Sequence, residues 1–569
     1  MKNPKRILAL LLALALSLSF TVALAGDDVP VIGWEKPEET LKFAAYMGQG
    51  DPQSDIDTQE ESGYRMKTWL KENMNVEIEL QRFMDTQEQR ISLMMLDGSY
   101  PELLAFTNEA ASAMFIESGH ALDLAPLLEQ YGQNILAEIG DYIELFKDEE
   151  GHIYRLPSHW GYKVDSTIAE SFAVRYDWWL ELDTDLYTTP EEFYEQVKAI
   201  LANHPVNENG ETVYALSDYG GGSSILRTLQ EAWGFIEGVK LDENGNLVHW
   251  LFTEEGEELC KYINRFWREG MIDPDFVTNS FDDWKAKGVN ERLVADLGTW
   301  WRNFVMGHEY WQQEDPNTPI EKRYLNTQVT ADGVAQNTLA NKNLLCIDVA
   351  NGAYWILTDA CEDPAAVMKY LNWEWSPYGT LVVQYSYPAE DNVYDIIDGK
   401  IVFKDDALDA SKKNEAWHGV KTDRCLYWLT TRRSFVDKGV NKLPFEIDER
   451  VIWDNWGTGD LYPKTPDGSR YLDDGWEISW GDYDMTTAVD VTMYNYILNA
   501  EDYEFTVAQN VRDLESTYWI NIVTADSEEN CLAMIEEARA ALEGADIQIL
   551  MDYRTEAYKS NMEKVFGAK

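Results

Sequence analysis

Residues 151–200 read GHIYRLPSHWGYKVDSTIAESFAVRYDWWLELDTDLYTTPEEFYEQVKAI and contain a change from one structural unit to another. The first piece is extended and ends at Pro157, because proline holds the residue before it in extended geometry. A short loop containing Trp160 follows, and after it comes a β-type run over residues 167–174. We interpret the loop as the place where the chain crosses from one lobe to a second lobe.

The last helix of this stretch carries a complete start signal. Thr189 is predicted as the N-cap, Pro190 as the first helical residue and Glu192 as the residue that closes a capping box. Apolar residues at spacings of three, four and seven follow, from Phe193 to Leu201. The crossing therefore leads into a new strand–helix unit, and we expect the aromatic residue at the crossing to face a ligand.

Strands and helices alternate on the N-terminal side of the crossing. Strands are predicted at residues 41–47, 76–80 and 101–106, and helices at residues 60–73 and 87–96. Alternation at this spacing indicates an α/β lobe with a largely parallel sheet.

A second unit and some later elements lie on the C-terminal side. Thr253 is predicted to cap a helix that Gly270 stops. Two apolar strands near residue 350 are expected to carry the chain back between the lobes. The predicted elements are a helix at 254–269, strands at 294–297, 344–349 and 354–358, and helices at 510–519 and 528–542.

The N-terminus has the pattern of a secretory signal peptide. Lys2, Lys5 and Arg6 precede an apolar run over residues 7–20, and Ala-Leu-Ala at 23–25 forms a cleavage pattern before Gly26. We therefore predict an exported protein, with residues 1–25 removed.

The charge excludes some partners. The chain has 47 basic and 101 acidic residues and a formal net charge of −54. Such a field repels nucleic acid and anionic membranes. High acidity can also indicate disorder, but 45% hydrophobic residues with 22 Trp and 31 Tyr predict large buried cores instead.

Motifs of catalysis are missing from the sequence. It contains no Gly-x-Ser-x-Gly elbow, no phosphate-binding Gly-x-x-x-x-Gly-Lys and no dinucleotide fingerprint. We expect a protein that is not an enzyme.

The five cysteines, at 260, 346, 361, 425 and 531, are widely spaced and odd in number, so we interpret them as buried thiols, with one or two bridges left open.

Tryptophan is frequent at loop positions. A flat apolar ring suits the apolar face of a pyranose, while neighbouring polar side chains can bond its hydroxyl groups. The alternative for any one ring is core packing, but as a set these residues favour a sugar-binding platform. They are Trp160, Trp233, Trp300, Trp301, Trp428, Trp453 and Trp456.

Several segments together resemble family 1 extracellular solute-binding proteins, the receptors of carbohydrate ABC importers. The lobe crossing is matched by DEEGHIYRLP, FAVRYDWWLEL and TTPEEFYEQVKAI. GSYPELLAF, ALDLAPLLEQY, FTEEGEELCKYINRFWREGMIDPDF and DNVYDIIDGKIVFKDDAL are similar to further family segments, in the same order. Length and order look closest to the large oligosaccharide-binding branch, which includes alginate-binding receptors.

The resemblance implies an α/β, two-lobed periplasmic-binding-protein-like fold of type II. Each lobe would be a mainly parallel sheet flanked by helices, with extra C-terminal helices. The expected boundaries are a signal peptide at 1–25, lobe 1 at 26–163, lobe 2 at 164–343, a return to lobe 1 at 344–430, and a loop-rich segment with C-terminal helices at 431–569, packed mainly on lobe 2.

The implied function is capture of an oligosaccharide in the cleft between the lobes, by hinge closure, and delivery to a membrane permease. The family's tryptophan after the strand matching LVADLGT corresponds to Trp300. The ligand-binding residues that we predict are Trp160, Trp300, Trp301, Trp233, Asn108, Gln49, Arg302, Trp453 and Trp456.

Two departures from the family bear on anchoring and metal binding. Gly26 stands where Gram-positive members usually carry a lipobox cysteine, so the prediction is export without a lipobox. The alginate receptors bind calcium in a loop that aligns with PVNENGETVYAL, which here is shorter and poorer in carboxylates. We predict no cofactor and leave calcium open.

The predicted partners are an oligosaccharide and the permease subunits of an ABC transporter, with no nucleic acid, and the protein is expected to be a monomer. Two alternatives stay open. One is a secreted carbohydrate-active enzyme, because paired carboxylates hydrolyse glycosides, although among 101 acidic residues such pairs arise by chance. The other is a binding protein for peptides or other small solutes.

Overall fold

The structure is a computed structural model. It describes residues 31–48, 67–81, 83, 86–148, 150–160, 167–168, 170–299, 302, 304–315, 317–319, 321–327, 329–334, 337–342, 354–385, 394–406, 431–432, 446–447, 488–498 and 502–567.

The strands of the described residues fall into six sheets. In chain order they are β1 (Leu41–Met47), β2 (Val76–Gln81), β3 (Leu103–Thr107), β4 (Leu156–Pro157), β5 (His159–Trp160), β6 (Thr167–Ile168), β7 (Glu170–Arg175), β8 (Val239–Leu241), β9 (Leu247–His249), β10 (Ala295–Thr299), β11 (Tyr324–Thr327), β12 (Asn337–Lys342), β13 (Tyr354–Leu357), β14 (Tyr394–Ile397), β15 (Lys400–Phe403), β16 (Thr431–Arg432), β17 (Glu446–Ile447) and β18 (Ala488–Asp490).

Helices cover the sheets and dominate the C-terminal region. In chain order they are α1 (Gln87–Asp97), α2 (Glu109–Glu117), α3 (Ala125–Tyr131), α4 (Gln133–Ile139), α5 (Tyr176–Leu180), α6 (Pro190–Asn203), α7 (Ser223–Ala232), α8 (Glu254–Arg268), α9 (Phe281–Val289), α10 (Glu309–Glu314), α11 (Pro364–Glu374), α12 (Pro377–Tyr385), α13 (Tyr503–Val523), α14 (Glu528–Gly544) and α15 (Ile547–Phe566).

The first sheet has the strand order β2-β1-β3-β13-β4. β1 pairs in parallel with β2 and with β3. β13 lies antiparallel between β3 and β4, although it comes almost 200 residues after β4 in the chain. The strand that completes this sheet therefore arrives from a distant part of the sequence.

The second sheet repeats this arrangement with different residues. β7 lies antiparallel between β10 and β11. Isolated bridges extend the sheet beyond β10, with Tyr214 parallel to Leu293 and Leu216 parallel to Ile272. From one edge to the other, each sheet thus has two parallel strand pairs followed by two antiparallel pairs. The strand that the two antiparallel pairs share, β13 in the first sheet and β7 in the second, enters from the other sheet.

The two-lobed α/β prediction is confirmed, but the prediction of mainly parallel sheets is wrong for the described strands. Parallel neighbours need a crossover connection within one sheet, usually a helix. β7 and β13 come from the other sheet instead, so no such connection sets their direction. The spacing of strands and helices along the sequence does not reveal this exchange.

Short strands join the segments that pass between the two sheets. β12 pairs antiparallel with β6 and parallel with β18, and β5 pairs in parallel with β16. β6 leads into β7, and β12 precedes β13. The predicted strand at 344–349 falls outside the described residues, and the predicted strand at 354–358 corresponds to β13. The predicted domain boundaries stay a prediction.

The C-terminal helices contact both parts of the molecule. Asn264 on α8 donates to the carbonyl oxygens of Val523 (3.1 Å) and Ala525 (2.7 Å), next to the end of α13. On α15, the Phe566 ring lies 6.4 Å from that of Tyr142, near the first sheet. Buried apolar residues of both sheets and of α13–α15 consequently form one connected cluster.

Helix starts were predicted correctly where capping residues lie close to one another in the sequence. The capping box of Thr189 and Glu192 is present at the start of α6, and Thr253 caps α8. The two late helices are confirmed as α13 and α14, but sequence reasoning missed α15. Among the described residues, no helix is both long enough and apolar enough to cross a membrane.

Candidate functional site

Open α/β sheets bind ligands outside the carboxyl ends of their strands, so those ends define the candidate site. In the first sheet, β1 ends next to Gly48 and β3 ends next to Asn108. Gln87, at the start of α1, joins them. Its Nε2 donates to the carbonyl oxygens of Gly48 (2.7 Å) and Phe106 (3.3 Å), and its Oε1 accepts from the backbone N–H of Asn108 (2.7 Å).

The backbone at this edge is tightly packed and strained. A Cβ at Gly48 would lie 2.3 Å from the carbonyl oxygen of Phe106, so only glycine allows the two strand ends to approach so closely. Phe106 has a φ of 55°, in the left-handed region that non-glycine residues rarely adopt. Strain of this kind concentrates at ligand-binding sites.

Asn108 was predicted to bind ligand, and the structure places it at this edge. Its Oδ1 accepts from the backbone N–H of Ala111 (2.8 Å) and so caps α2, and its Nδ2 donates to Glu88 (2.7 Å). Both ends of the side-chain amide are therefore engaged within the protein. A direct contact between Asn108 and a ligand stays a prediction.

An arginine next to this edge fixes α2 against the sheet. Arg155 is buried, and its guanidinium contacts Glu109 at 2.6 Å and Ser112 at 2.5 Å. It also lies 4.3 Å over the ring of Tyr354 on β13. Arg155 therefore connects the strand that returns to the first sheet with the helix at the sheet's carboxyl edge.

Trp160 and Trp233 are enclosed by other side chains. Trp160 is 1% exposed, with its ring 5.5 Å from the edge-oriented ring of Tyr142. Trp233 is 7% exposed and packs 5.2 Å from the ring of Tyr262. Neither indole presents an open face in this conformation, so their predicted stacking on a sugar would first require exposure.

Arg302 lies in a buried ion cluster beyond the end of β10. It contacts both carboxylate oxygens of Asp296 at 2.8 Å, and its Nη1 donates to Asp218 (2.9 Å) and Ser224 (2.7 Å). Its guanidinium carbon is 4.1 Å from the Trp284 ring centroid. Arg302 thus ties the segment after β10 to the start of α7, which is a positioning role.

The remaining predicted ligand residues lie outside the described residues. They are Gln49, Trp300, Trp301, Trp453 and Trp456.

The second sheet has a charged group at its corresponding edge. Thr299 ends β10 and faces Glu170, the first residue of β7. The Glu170 carboxylate is buried, and it contacts Arg227 Nε at 2.5 Å, Thr228 Oγ1 at 3.0 Å and Thr299 Oγ1 at 3.1 Å. Sequence reasoning missed this group, although a glutamate inside the run STIAESFAV is a signal that could have found it.

The loop considered for calcium is occupied with its own hydrogen bonds. Asn207 Oδ1 accepts from the backbone N–H of Asn209 (3.1 Å) and of Glu211 (2.9 Å), and Asn207 Nδ2 donates to the Glu211 carboxylate (2.9 Å). Calcium takes six to eight oxygen ligands. The side-chain oxygens of this loop, which already accept hydrogen bonds within it, do not fit that requirement. Within the described residues, no cluster of three or more His, Cys, Asp or Glu side chains could hold a metal ion. That the protein needs no cofactor stays a prediction.

No family model matches the chain. A curated relative, lipoprotein LipO of Bacillus subtilis (strain 168), is 21% identical over 216 residues. The alignment covers 37% of this chain and 42% of LipO, so the chain spans less than half the length of the curated relative that it matches.

Solved structures resemble the chain over almost its whole length. The alginate-binding protein AlgQ2 without calcium ion is 17% identical, with a TM-score of 0.59 over 93% of this chain and 99% of that one. An HMO-binding, ABC-transporter-associated solute-binding protein from Bifidobacterium longum infantis ATCC 15697 is 15% identical, with a TM-score of 0.62 over 91% and 99%. FusA, an ABC-transporter substrate-binding protein of S. pneumoniae in complex with kestose, is 14% identical, with a TM-score of 0.62 over 92% and 99%. The chain therefore has the fold of ABC-transporter solute-binding proteins.

Proposed function

We propose that this protein is the extracytoplasmic solute-binding receptor of an ABC importer and that it captures an oligosaccharide between its two lobes. The observation that carries the proposal is the fold, shared over nearly the full length with ABC-transporter substrate-binding proteins. The ligand class follows those relatives, which are described as binding alginate, HMO or kestose.

The connection between the sheets suits a hinge. Each sheet holds one strand that enters from the other, and the short strands β6, β12 and β18 join the crossing segments. A ligand that contacts both carboxyl edges would bind the closed form more tightly than the open form and so shift the population towards closure. Recognition of the closed form would then deliver the sugar to a permease.

The location and assembly of the protein belong to this proposal. An extracytoplasmic receptor agrees with the signal-peptide pattern before Gly26, and the resemblance to a lipoprotein is compatible with attachment to the membrane surface. We propose that the receptor acts as a monomer, since the ligand-binding edges of both lobes belong to the same chain.

A thermal-unfolding screen against neutral and acidic oligosaccharides, with peptides as a second panel, tests the function. A ligand at one hundred times its dissociation constant should stabilise the protein by about 2.7 kcal/mol. Each stabilising sugar is then incubated with the protein and recovered for mass analysis. A receptor returns the sugar unchanged. Cleaved products, or stabilisation by peptides alone, would contradict the proposal.

A further inference from the structure

An exposed guanidinium lies at the candidate ligand edge of the second sheet. Arg227 lies on α7, and its Nη2 donates to Thr299 Oγ1 (3.0 Å) at the carboxyl end of β10. Its side chain is 47% exposed, whereas the Glu170 side chain that it contacts is 2% exposed. The guanidinium therefore sits at the surface of this edge, on top of a buried carboxylate.

The contacts of Glu170 hold Arg227 in a fixed orientation. Thr299 Oγ1 accepts from Arg227 and donates to Glu170, so the three side chains form a closed set of contacts. Glu170 opens β7, directly after the crossing segment β6. The guanidinium thus lies where the chain enters from the other lobe, the position from which a residue can reach a ligand held between the lobes.

The carboxylate of Glu170 offsets the positive charge of Arg227. An arginine without an acidic neighbour binds a ligand carboxylate through two parallel hydrogen bonds. Here the Nε side of the fork is taken by Glu170. The guanidinium of Arg227 therefore attracts a ligand carboxylate less strongly than an arginine without Glu170 would.

We infer that Arg227 is a ligand-contacting residue and that Glu170 sets its specificity, so that this edge selects neutral sugars over uronates. Arg227 donates hydrogen bonds to sugar hydroxyl groups, while Glu170 neutralises the charge that would otherwise attract a sugar carboxylate. The inference rests on the proposed function and adds to it the charge class of the ligand.

Two trisaccharides that differ only at C6 provide the test: β-1,4-mannotriose, which is neutral, and the β-1,4-mannuronate trisaccharide. Binding of both is measured by calorimetry for the wild type and each variant. Arg227→Ala should weaken mannotriose binding by about tenfold or more, the effect of losing a charged hydrogen-bond donor. Glu170→Gln should shift the preference by about tenfold towards the mannuronate, because the guanidinium is released from its carboxylate.

The control is Arg292→Ala. Arg292 precedes β10, at the end of the strand opposite to Thr299, and its Nε donates to the carbonyl oxygen of Thr212 (3.1 Å). This variant should bind both sugars like the wild type. Because Arg227→Ala leaves a buried carboxylate without its partner, the double variant Arg227→Ala/Glu170→Gln is measured too, and it should lose mannotriose affinity to the same extent.

The outcomes separate the inference from the function on which it rests. Mannotriose affinity unchanged in the double variant, or tighter binding of mannuronate than of mannotriose by the wild type, contradicts the inference and leaves a sugar receptor standing. A wild-type protein that binds neither trisaccharide, and no sugar of the wider screen, contradicts the proposed function instead.

Discussion

Gln87 joins the carboxyl ends of two strands through a single side-chain amide. Replacing it with alanine leaves the carbonyl oxygens of Gly48 and Phe106 and the N–H of Asn108 without this partner. We expect Gln87→Ala to lower the free energy of unfolding by about 2 kcal/mol, since a buried backbone group that loses its hydrogen bond costs about 1–3 kcal/mol. Urea unfolding monitored by tryptophan fluorescence measures the difference.

The matched control for this variant is Gln89→Ala. Gln89 lies in the same helix, but its side chain is exposed. An exposed substitution of this kind should change stability by less than about 0.5 kcal/mol. Equal effects of the two variants would show that Gln87 does not hold the strand ends together.

At the scale of single residues, the sequence predicts contacts that are local. Thr189 could be identified as an N-cap because its partner is three residues away. Gln87 could not, because Gly48 and Asn108 lie 39 and 21 residues away in the chain. Trp160 lies in the chain between β4 of the first sheet and β7 of the second, but nothing local shows that Tyr142 lies against its ring.

At the scale of elements, the turn after α8 has a clear physical basis. The segment GMIDPDF begins at the predicted helix stop, Gly270, and belongs to the family-like segments. Its Asp273 Oδ2 accepts from Lys287 (2.5 Å), Ser217 (2.7 Å) and Asn279 (3.0 Å). One buried carboxylate therefore fixes the turn to α9 and to the strand segment that contains Leu216.

This carboxylate makes stability depend on pH. Burial acts to raise the pKa of Asp273, but the contacts from Lys287, Ser217 and Asn279 outweigh it, and the pKa lies below its ordinary value. A carboxyl group with a lowered folded-state pKa contributes stability that is fully present above its unfolded pKa. That contribution is lost as the pH falls through the folded-state pKa.

We therefore expect Asp273→Asn to destabilise the protein by about 3 kcal/mol at neutral pH, because it leaves the Lys287 charge without its closest buried partner. The difference from the wild type should begin to shrink below about pH 4, where the carboxyl group of the unfolded chain takes up a proton, and it should vanish as the pH falls through the lower folded-state pKa. Urea unfolding at a series of pH values measures both effects.

Asp275→Asn is the control for this experiment. Asp275 also contacts Lys287, at 3.2 Å, but its side chain is 68% exposed. Exposed ion pairs contribute at most about 1 kcal/mol. A pH-independent difference between Asp273→Asn and the wild type would contradict the assignment.

The sequence predicts where the strands lie along the chain, but it does not predict which strands pair or in which direction they run. β1, β2 and β3 lie within two residues of their predicted bounds, because alternation and stop signals are written locally. The direction of β7 and β13 depends on which sheet receives each strand, and no residue of either strand encodes that. The edge formed by Glu170 and Arg227 was missed for the same reason, since α7, β7 and β10 meet only in the folded chain.

At the scale of the whole molecule, a family resemblance spread over many segments predicts the two lobes. It does not predict the contacts that couple the lobes. Tyr142 brings several of them together. Its hydroxyl donates to Asp490 on β18 (2.6 Å), and its ring lies against Trp160 on β5 and Phe566 on α15. It therefore contacts two of the crossing segments and the helix that bridges the core.

Removing the hydroxyl alone tests this coupling. We expect Tyr142→Phe to keep the ring contacts but to speed amide hydrogen exchange in residues 488–498. Sugar affinity should fall by about fivefold, the equivalent of the roughly 1 kcal/mol of one hydrogen bond, because closure must then order a looser connection. Hydrogen-exchange mass spectrometry and calorimetry measure the two effects.

Tyr100→Phe separates coupling between the lobes from the loss of any tyrosine–aspartate bond. The Tyr100 hydroxyl donates to Asp359 (2.5 Å), and both residues flank strands of the first sheet, so this bond stays within one lobe. Its loss should leave exchange in residues 488–498 and sugar affinity at wild-type values. If both variants lower affinity equally, Tyr142 acts only through general stability. If only Tyr142→Phe lowers the sugar affinity, the lobes close by bending at the contacts between β5, β18 and α15, within the connected core.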